Sequence, residues 1–233
     1  MSRYSLRTVC CAILMTSTCL MPTIASAGGI TLGGTRIVYP ADQKQVSMSV
    51  RNTSDRSSFL VQSWAEQSDG KKSQDFIVTP PLYTSGPGNE NTLRLMYVGA
   101  PVKTDRETLY YFNTKAIPSM KKSDLENKNV LMLAAVTRIK LFVRPAGLTP
   151  TVDKAPAELT FHRSGNQVRI TNPTPYYLTL AQLKLGSHAL PDAMVPPRGD
   201  VSVPLGSASG NAVTFRTIND YGAVTPEVRA VLK

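Results

Sequence analysis

Cysteine is nearly missing from this chain. The only three, Cys10, Cys11 and Cys19, fall within the first 27 of 233 residues, so residues 28–233 can form neither a disulfide nor a thiol-based site. Histidine is just as scarce, and His162 and His188 alone cannot make a structural zinc site. The later methionines (Met48, Met96, Met120, Met132, Met194) are scattered, which excludes the clustered soft ligands of a copper carrier, so no metal or other cofactor is expected. Beyond the first 27 residues nothing approaches 18 consecutive apolar residues, so membrane insertion is not expected. There is no P-loop, no G-x-G-x-x-G and no G-x-S-x-G; Gly206-Ser207-Ala208-Ser209-Gly210 has alanine where a nucleophile would sit. Nothing here supports catalysis. Acidic residues are few, 16 against 26 Lys and Arg, and the resulting +10 would ordinarily suggest an anionic partner. The basic residues are dispersed, however, with pairs only at Lys71-Lys72 and Lys121-Lys122 in polar stretches, so nucleic acid is not the expected partner.

What is present begins with a leader. Arg3 and Arg7 give a positive start, Val9 to Leu20 is mostly apolar, and Ala25-Ser26-Ala27 is a small-residue cleavage site. Residues 1–27 therefore read as a signal peptide for an exported protein. A lipoprotein anchor at Cys19 is disfavoured by Thr16-Ser17-Thr18, which offers no aliphatic residue before it.

Short strand-like segments dominate the remainder. Val46, Met48 and Val50 alternate with polar residues, as do Leu93, Leu95 and Tyr97, which is the period of a half-buried strand. Further runs are Thr35–Tyr39, Ser58–Glu66, Phe76–Tyr83 (an edge or bent strand, interrupted by Pro80-Pro81), Leu109–Ile117 and Val130–Val143. Ala146–Pro150 reads as a linker, after which the pattern restarts with Leu159–Arg163 and Gln167–Thr171 around the turn Ser164-Gly165-Asn166. Tyr176–Leu185, Val201–Leu205, Val213–Ile218 and Val228–Leu232 follow. Arg198-Gly199-Asp200 reads as a polar turn rather than an adhesion motif. No convincing helical period occurs. The expectation is an all-β chain of two β-sandwich domains, residues 28–146 and 150–233.

Two cationic positions interrupt apolar strands: Arg36 within Thr35-Arg36-Ile37-Val38-Tyr39, and Lys140, with Arg138, within Val130–Val143. A cation there either snorkels to solvent or meets a partner. Together with Phe76-Ile77-Val78-Thr79-Pro80-Pro81-Leu82, Asn91-Thr92-Leu93-Arg94, Asp105-Arg106-Glu107-Thr108-Leu109-Tyr110, Ile117-Pro118, Arg138–Pro145 and Ile218-Asn219-Asp220-Tyr221-Gly222, these segments resemble the PapD-like periplasmic pilus chaperones of the chaperone–usher pathway. The resemblance runs through nearly all of residues 28–233.

The resemblance implies two immunoglobulin-like β-sandwiches in a boomerang arrangement and a non-enzymatic periplasmic chaperone. Such a protein binds, folds and caps pilus or fimbrial subunits and delivers them to an outer-membrane usher. It further implies that Arg36 and Lys140 hold the subunit's C-terminal carboxylate. The segment Val130–Lys140 would be lent to the subunit as a strand, with Leu131, Leu133, Ala135 and Thr137 filling its groove and Met132, Ala134 and Val136 facing the chaperone's own core. Glu107, Arg144 and Asp220 match a structural ion cluster between the domains. Ala135 stands where larger apolar residues are common, and Ser119 replaces a second proline after Ile117-Pro118. With no cysteine pair and a moderate segment before the lent strand, the short-loop subclass is expected. An uncovered apolar strand also permits self-association of the free protein. The competing class is an exported pilus subunit or adhesin, to be distinguished by having one incomplete sandwich and often a disulfide.

Overall fold

A computed structural model describes residues 28–120 and 131–233. The expected leader, the Lys121-Lys122 pair and Val130 lie outside the described residues. Among the described residues the N-terminal sandwich has nine strands: β1 (Ile30–Leu32), β2 (Arg36–Pro40), β3 (Val46–Asn52), β4 (Phe59–Gln67), β5 (Phe76–Thr79), β6 (Leu82–Ser85), β7 (Glu90–Tyr97), β8 (Thr108–Pro118) and β9 (Ala135–Arg144). They form one sheet of order β1-β3-β7-β5 and a second of order β2-β9-β8-β4-β6. Alternation sets the core. Met48, Val50, Leu93 and Leu95 from one sheet meet Val61, Phe112, Ile139, Leu141 and Val143 from the other. Tyr39, Phe76, Tyr97 and Tyr110 cluster at one end with ring centroids 5.1–6.3 Å apart, edge to face except for the tilted Tyr39–Tyr97 pair.

The C-terminal sandwich contains β10 (Thr160–Ser164), β11 (Gln167–Asn172), β12 (Leu178–Leu185), β13 (His188–Ala189), β14 (Ala193–Val195), β15 (Gly199–Pro204), β16 (Ala212–Thr217) and β17 (Val228–Val231). Its sheets run β10-β11-β15 and β13-β12-β16-β17, with β14 also on β12. A 3-10 turn, Ala155–Glu158, leads into it. Phe161, Ile170, Leu180, Leu183, Leu185, Val213 and Phe215 fill its core.

Two sequence readings change and a third gains its reason. The run Phe76–Tyr83 is two strands rather than one, each at the edge of its sheet as expected around prolines. Proline cannot donate to a ladder, so at Pro80-Pro81 the chain leaves the β7 edge and crosses to β4 in the other sheet. The run Val130–Val143 becomes strand only from Ala135, because β8 pairs with β9 no further than Ala116↔Ala135. Ser119, standing where a proline was expected, has a reason to be there: its N–H donates to the Ser58 carbonyl (2.9 Å), a bond proline could not make.

Candidate functional site

The site begins with an incomplete edge. β9 pairs along its length with β8 on one side, but β2 joins its other side only from Lys140 onward, in parallel register with Arg36 opposite Lys140. Among the described residues, Ala135–Ile139 therefore have a free edge, and Leu131–Ala134 run on without a strand partner. This stretch is exposed as well as apolar: Leu131 is 82% exposed, Leu133 71%, Val136 53% and Met132 48%. The expectation that Met132, Ala134 and Val136 face the chaperone's own core is overturned. The buried residues farther along β9 are Ile139, Leu141 and Val143, so by the two-residue period Leu131, Leu133, Ala135 and Thr137 lie on the core-facing side. Ala135 and Thr137 are exposed at the open edge of the sheet although their row neighbours Ala116 and Thr114 on β8, and Val61 and Ser63 on β4, are buried.

The free edge stops at two cations. The Arg36 guanidinium reaches across to the second sandwich and donates through Nη1 to the Ile218 carbonyl at 2.8 Å. Its Nε is buried and has no acceptor among the described residues. The Lys140 ammonium donates to Thr179 Oγ1 on β12, also at 2.8 Å. Among the described residues neither cation has a carboxylate within ion-pair distance. Burial pulls the Lys140 ammonium below its ordinary value, and the neighbouring Arg36 charge pulls it further. Burial also lowers Arg36, with the more distant Asp220 and Glu107 charges partly offsetting it. Two like charges, desolvated and adjacent, raise the free energy of the unliganded protein, and an anion would relieve both at once.

Farther along β9, on the same face as Lys140, Arg144 clamps two carboxylates. Its Nε donates to Glu107 Oε1 (2.6 Å), and its two terminal nitrogens take Asp220 in a fork (2.6 and 2.7 Å). Glu107 is almost fully buried; its second oxygen accepts the Tyr177 N–H (2.7 Å), and its own N–H donates to the Pro175 carbonyl. β8, β9 and two segments of the second sandwich are thus tied through one guanidinium. Phe142, between Lys140 and Arg144 on that face, stacks on Tyr177 with centroids 5.7 Å apart. Burial pushes the Glu107 carboxyl up, opposed by Arg144 and the Tyr177 N–H. The sign follows: the unfolded chain releases this proton more readily, so the Glu107 contribution to stability declines as pH rises through its folded value. Glu107→Gln, which keeps the shape and has no proton to lose, is expected to flatten this pH dependence in urea unfolding followed from acid to neutral pH.

Several participants escape a one-dimensional reading. Thr179, the Ile218 carbonyl and the Tyr177 N–H are ordinary strand-end groups with no sequence signal. The Lys140-x-Phe142-x-Arg144 alternation was a usable sign that one face of β9 meets something polar. On the next row, Arg138 lies over the Tyr111 ring (4.0 Å) and pairs with Glu66 (3.1 Å), whose other oxygen accepts from the Trp64 indole.

Comparison with known proteins agrees with this geometry. Residues 29–149 match the family profile described as "Pili and flagellar-assembly chaperone, PapD N-terminal domain", and residues 154–229 match "Pili assembly chaperone PapD, C-terminal domain". The probable fimbrial chaperone SfmC of Escherichia coli K12 is 49% identical over 201 residues, 86% of this chain and 87% of that protein. The chaperone protein FimC of the same strain is 48% identical over 206 residues, 88% and 85% of the two chains. Among solved structures, the periplasmic chaperone SfaE superposes with a TM-score of 0.77 at 44% identity, covering 88% of this chain and all of that one (100%). A chain from the complex of the Salmonella enterica SafA pilin with the SafB chaperone gives a TM-score of 0.80 at 29% identity, covering 89% and 98%. With both sandwiches matched in order, the chain belongs to the PapD-like family of pilus-assembly chaperones, a family of binding proteins and not of enzymes.

Proposed function

We propose that this chaperone works in the periplasm, after removal of residues 1–27, as two domains spanning 28–146 and 150–233. It captures a pilus or fimbrial subunit by lending it the strand that ends at Lys140, and it passes the subunit to an outer-membrane usher. The observation that carries the reading is that, among the described residues, the edge of β9 is unpaired and ends beside two cations with no carboxylate in ion-pair reach. A subunit whose sheet lacks a strand gains main-chain hydrogen bonds along that edge, while Leu131, Leu133, Ala135 and Thr137 enter its groove. Its terminal carboxylate takes Arg36 and Lys140, fixing the register. The geometry also dictates direction. A strand on the open edge that ends at Arg36 runs toward Lys140, the way β9 itself runs, so the added pairing is parallel, as that of β2 already is. Glu107, Arg144 and Asp220 serve to hold the two sandwiches in the relation that lets Arg36 and Lys140 converge.

Periplasmic co-expression with candidate subunits tests this. A one-to-one complex should be recovered in which the subunit resists proteolysis, and a subunit equally soluble and resistant when expressed alone would defeat the reading. Capture is also proton-linked. A bound carboxylate favours the ammonium and so raises Lys140 back from its lowered value, so affinity should weaken as pH rises through the free protein's Lys140 value, below the ordinary lysine range. In the free protein the sign is opposite: the unfolded chain holds that proton more tightly, so stability rises over the same interval. Titration calorimetry across alkaline pH checks the first and urea unfolding over the same range the second, and Lys140→Arg should flatten the binding profile because arginine keeps its charge.

A further inference from the structure

Between the two sandwiches lies a cavity of about 510 Å3, mostly apolar, walled by Phe142, Tyr177, Ile218 and Pro226. Arg36 also lines it, whereas Lys140 and Thr179 do not, so the Arg36 side chain is the wall shared by the cation pair and the cavity. At the rim stands Tyr221, 93% exposed. Its loop is nevertheless held firmly. Asn219 Oδ1 accepts the N–H groups of Tyr221 (3.1 Å) and Ala223 (2.9 Å), and Asp220 is gripped by Arg144. Gly222 has φ +83° and packs so closely on Thr35, the residue before Arg36, that a Cβ would come within 2.2 Å of its Oγ1. A fixed loop presenting a bare aromatic ring over an apolar cavity costs the free protein solvation and is the arrangement of a contact site.

We propose that this cavity receives the side chain of the captured subunit's last residue and selects large apolar or aromatic residues over small ones. The inference rests on the carboxylate reading above: carboxylate and side chain leave the same Cα, so a carboxylate on Arg36 brings the terminal side chain to the cavity that Arg36 borders. The volume falls in the range of pockets that take a small ligand. Among its described acids, Glu107 and Asp220 share the single positive charge of Arg144, Glu227 lies 3.5 Å from Arg229, and Asp153 has no such ion pair. A basic terminal residue is therefore the competitor to be tested.

The experiment titrates the purified protein with synthetic peptides of one alternating apolar sequence that differ only in the last residue, Phe, Ala or Lys, together with the Phe peptide amidated at its C-terminus. The Phe peptide should bind about tenfold or more tighter than the Ala peptide, the gain expected for burying one aromatic side chain. That ratio should fall toward one in Tyr221→Ala, whose exposed position leaves folding intact, and in Ala157→Trp, which fills the cavity. Equal affinity for Phe and Ala, with amidation still harmful, overturns the pocket and leaves the carboxylate anchor standing. Binding indifferent to amidation overturns the anchor itself. A Lys peptide matching or exceeding the Phe peptide overturns the apolar selectivity.

Discussion

Lys140→Ala is expected to weaken subunit capture about 10- to 100-fold while the free chaperone keeps or gains stability. The loss is that of one charge-assisted hydrogen bond to a carboxylate, about 1.5–3 kcal/mol. The stability half follows from what surrounds Lys140 among the described residues of the unliganded protein: Arg36 beside it, the Thr179 hydroxyl as side-chain acceptor and no carboxylate in reach. Removing a desolvated charge that has no counter-ion removes a cost. Arg36→Ala should weaken capture similarly but carry a modest stability loss, since the Ile218 carbonyl loses its donor. Paired measurements of subunit affinity and urea unfolding separate the two effects. Full capture by both variants would exclude the carboxylate anchor, whereas a large drop in stability in Lys140→Ala would assign that lysine to holding the sandwiches together.

Much of this architecture was legible in one dimension because strands announce themselves by alternation. Met48 and Val50, or Leu93 and Leu95, bury one face and expose the other, and the break at Ala146–Pro150 separates two such sets. The shortest strands, β1, β13 and β14, were not legible, since two or three residues hold no period. The parity of β9 was misread for a related reason. Leu131–Val136 is apolar on both faces, so alternation offers no phase there; the phase is set farther along the strand by Ile139, Leu141 and Val143 meeting the opposite sheet. Arg36 and Lys140 were conspicuous as cations in apolar strands, and Glu107, Arg144 and Asp220 through family likeness. That Arg36 and Lys140 are direct register neighbours is a fact of parallel pairing between strands about a hundred residues apart, and no local pattern encodes it. The cavity beside Arg36 is less legible still, because its wall comes from both sandwiches, the linker turn and the loop at Asn219–Gly222.

Leu133→Glu is expected to abolish capture and leave the free protein's melting curve unchanged. Leu133 is 71% exposed and precedes the paired part of β9, so a charged side chain there remains in water and should alter stability by no more than about 0.5 kcal/mol. In a complex built on a lent strand, the same side chain would enter an apolar groove. Burying an unpaired carboxylate costs several kcal/mol, enough to reduce affinity by about 100-fold or more. Val136→Glu is the matched control. Val136 is also exposed and lies within β9 but on the opposite face, so the same charge should leave most of the affinity intact. Ile139→Ala supplies the contrast from the other side, because Ile139 is buried between the sheets and its truncation should cost about 2–5 kcal/mol of folding stability. If Leu133→Glu collapses the melt as Ile139→Ala does, the segment is core and not a lent strand. If Leu133→Glu and Val136→Glu impair capture equally, the subunit does not read the alternation of this strand, and the groove-filling role of Leu131, Leu133, Ala135 and Thr137 fails even where the cation pair still holds its carboxylate.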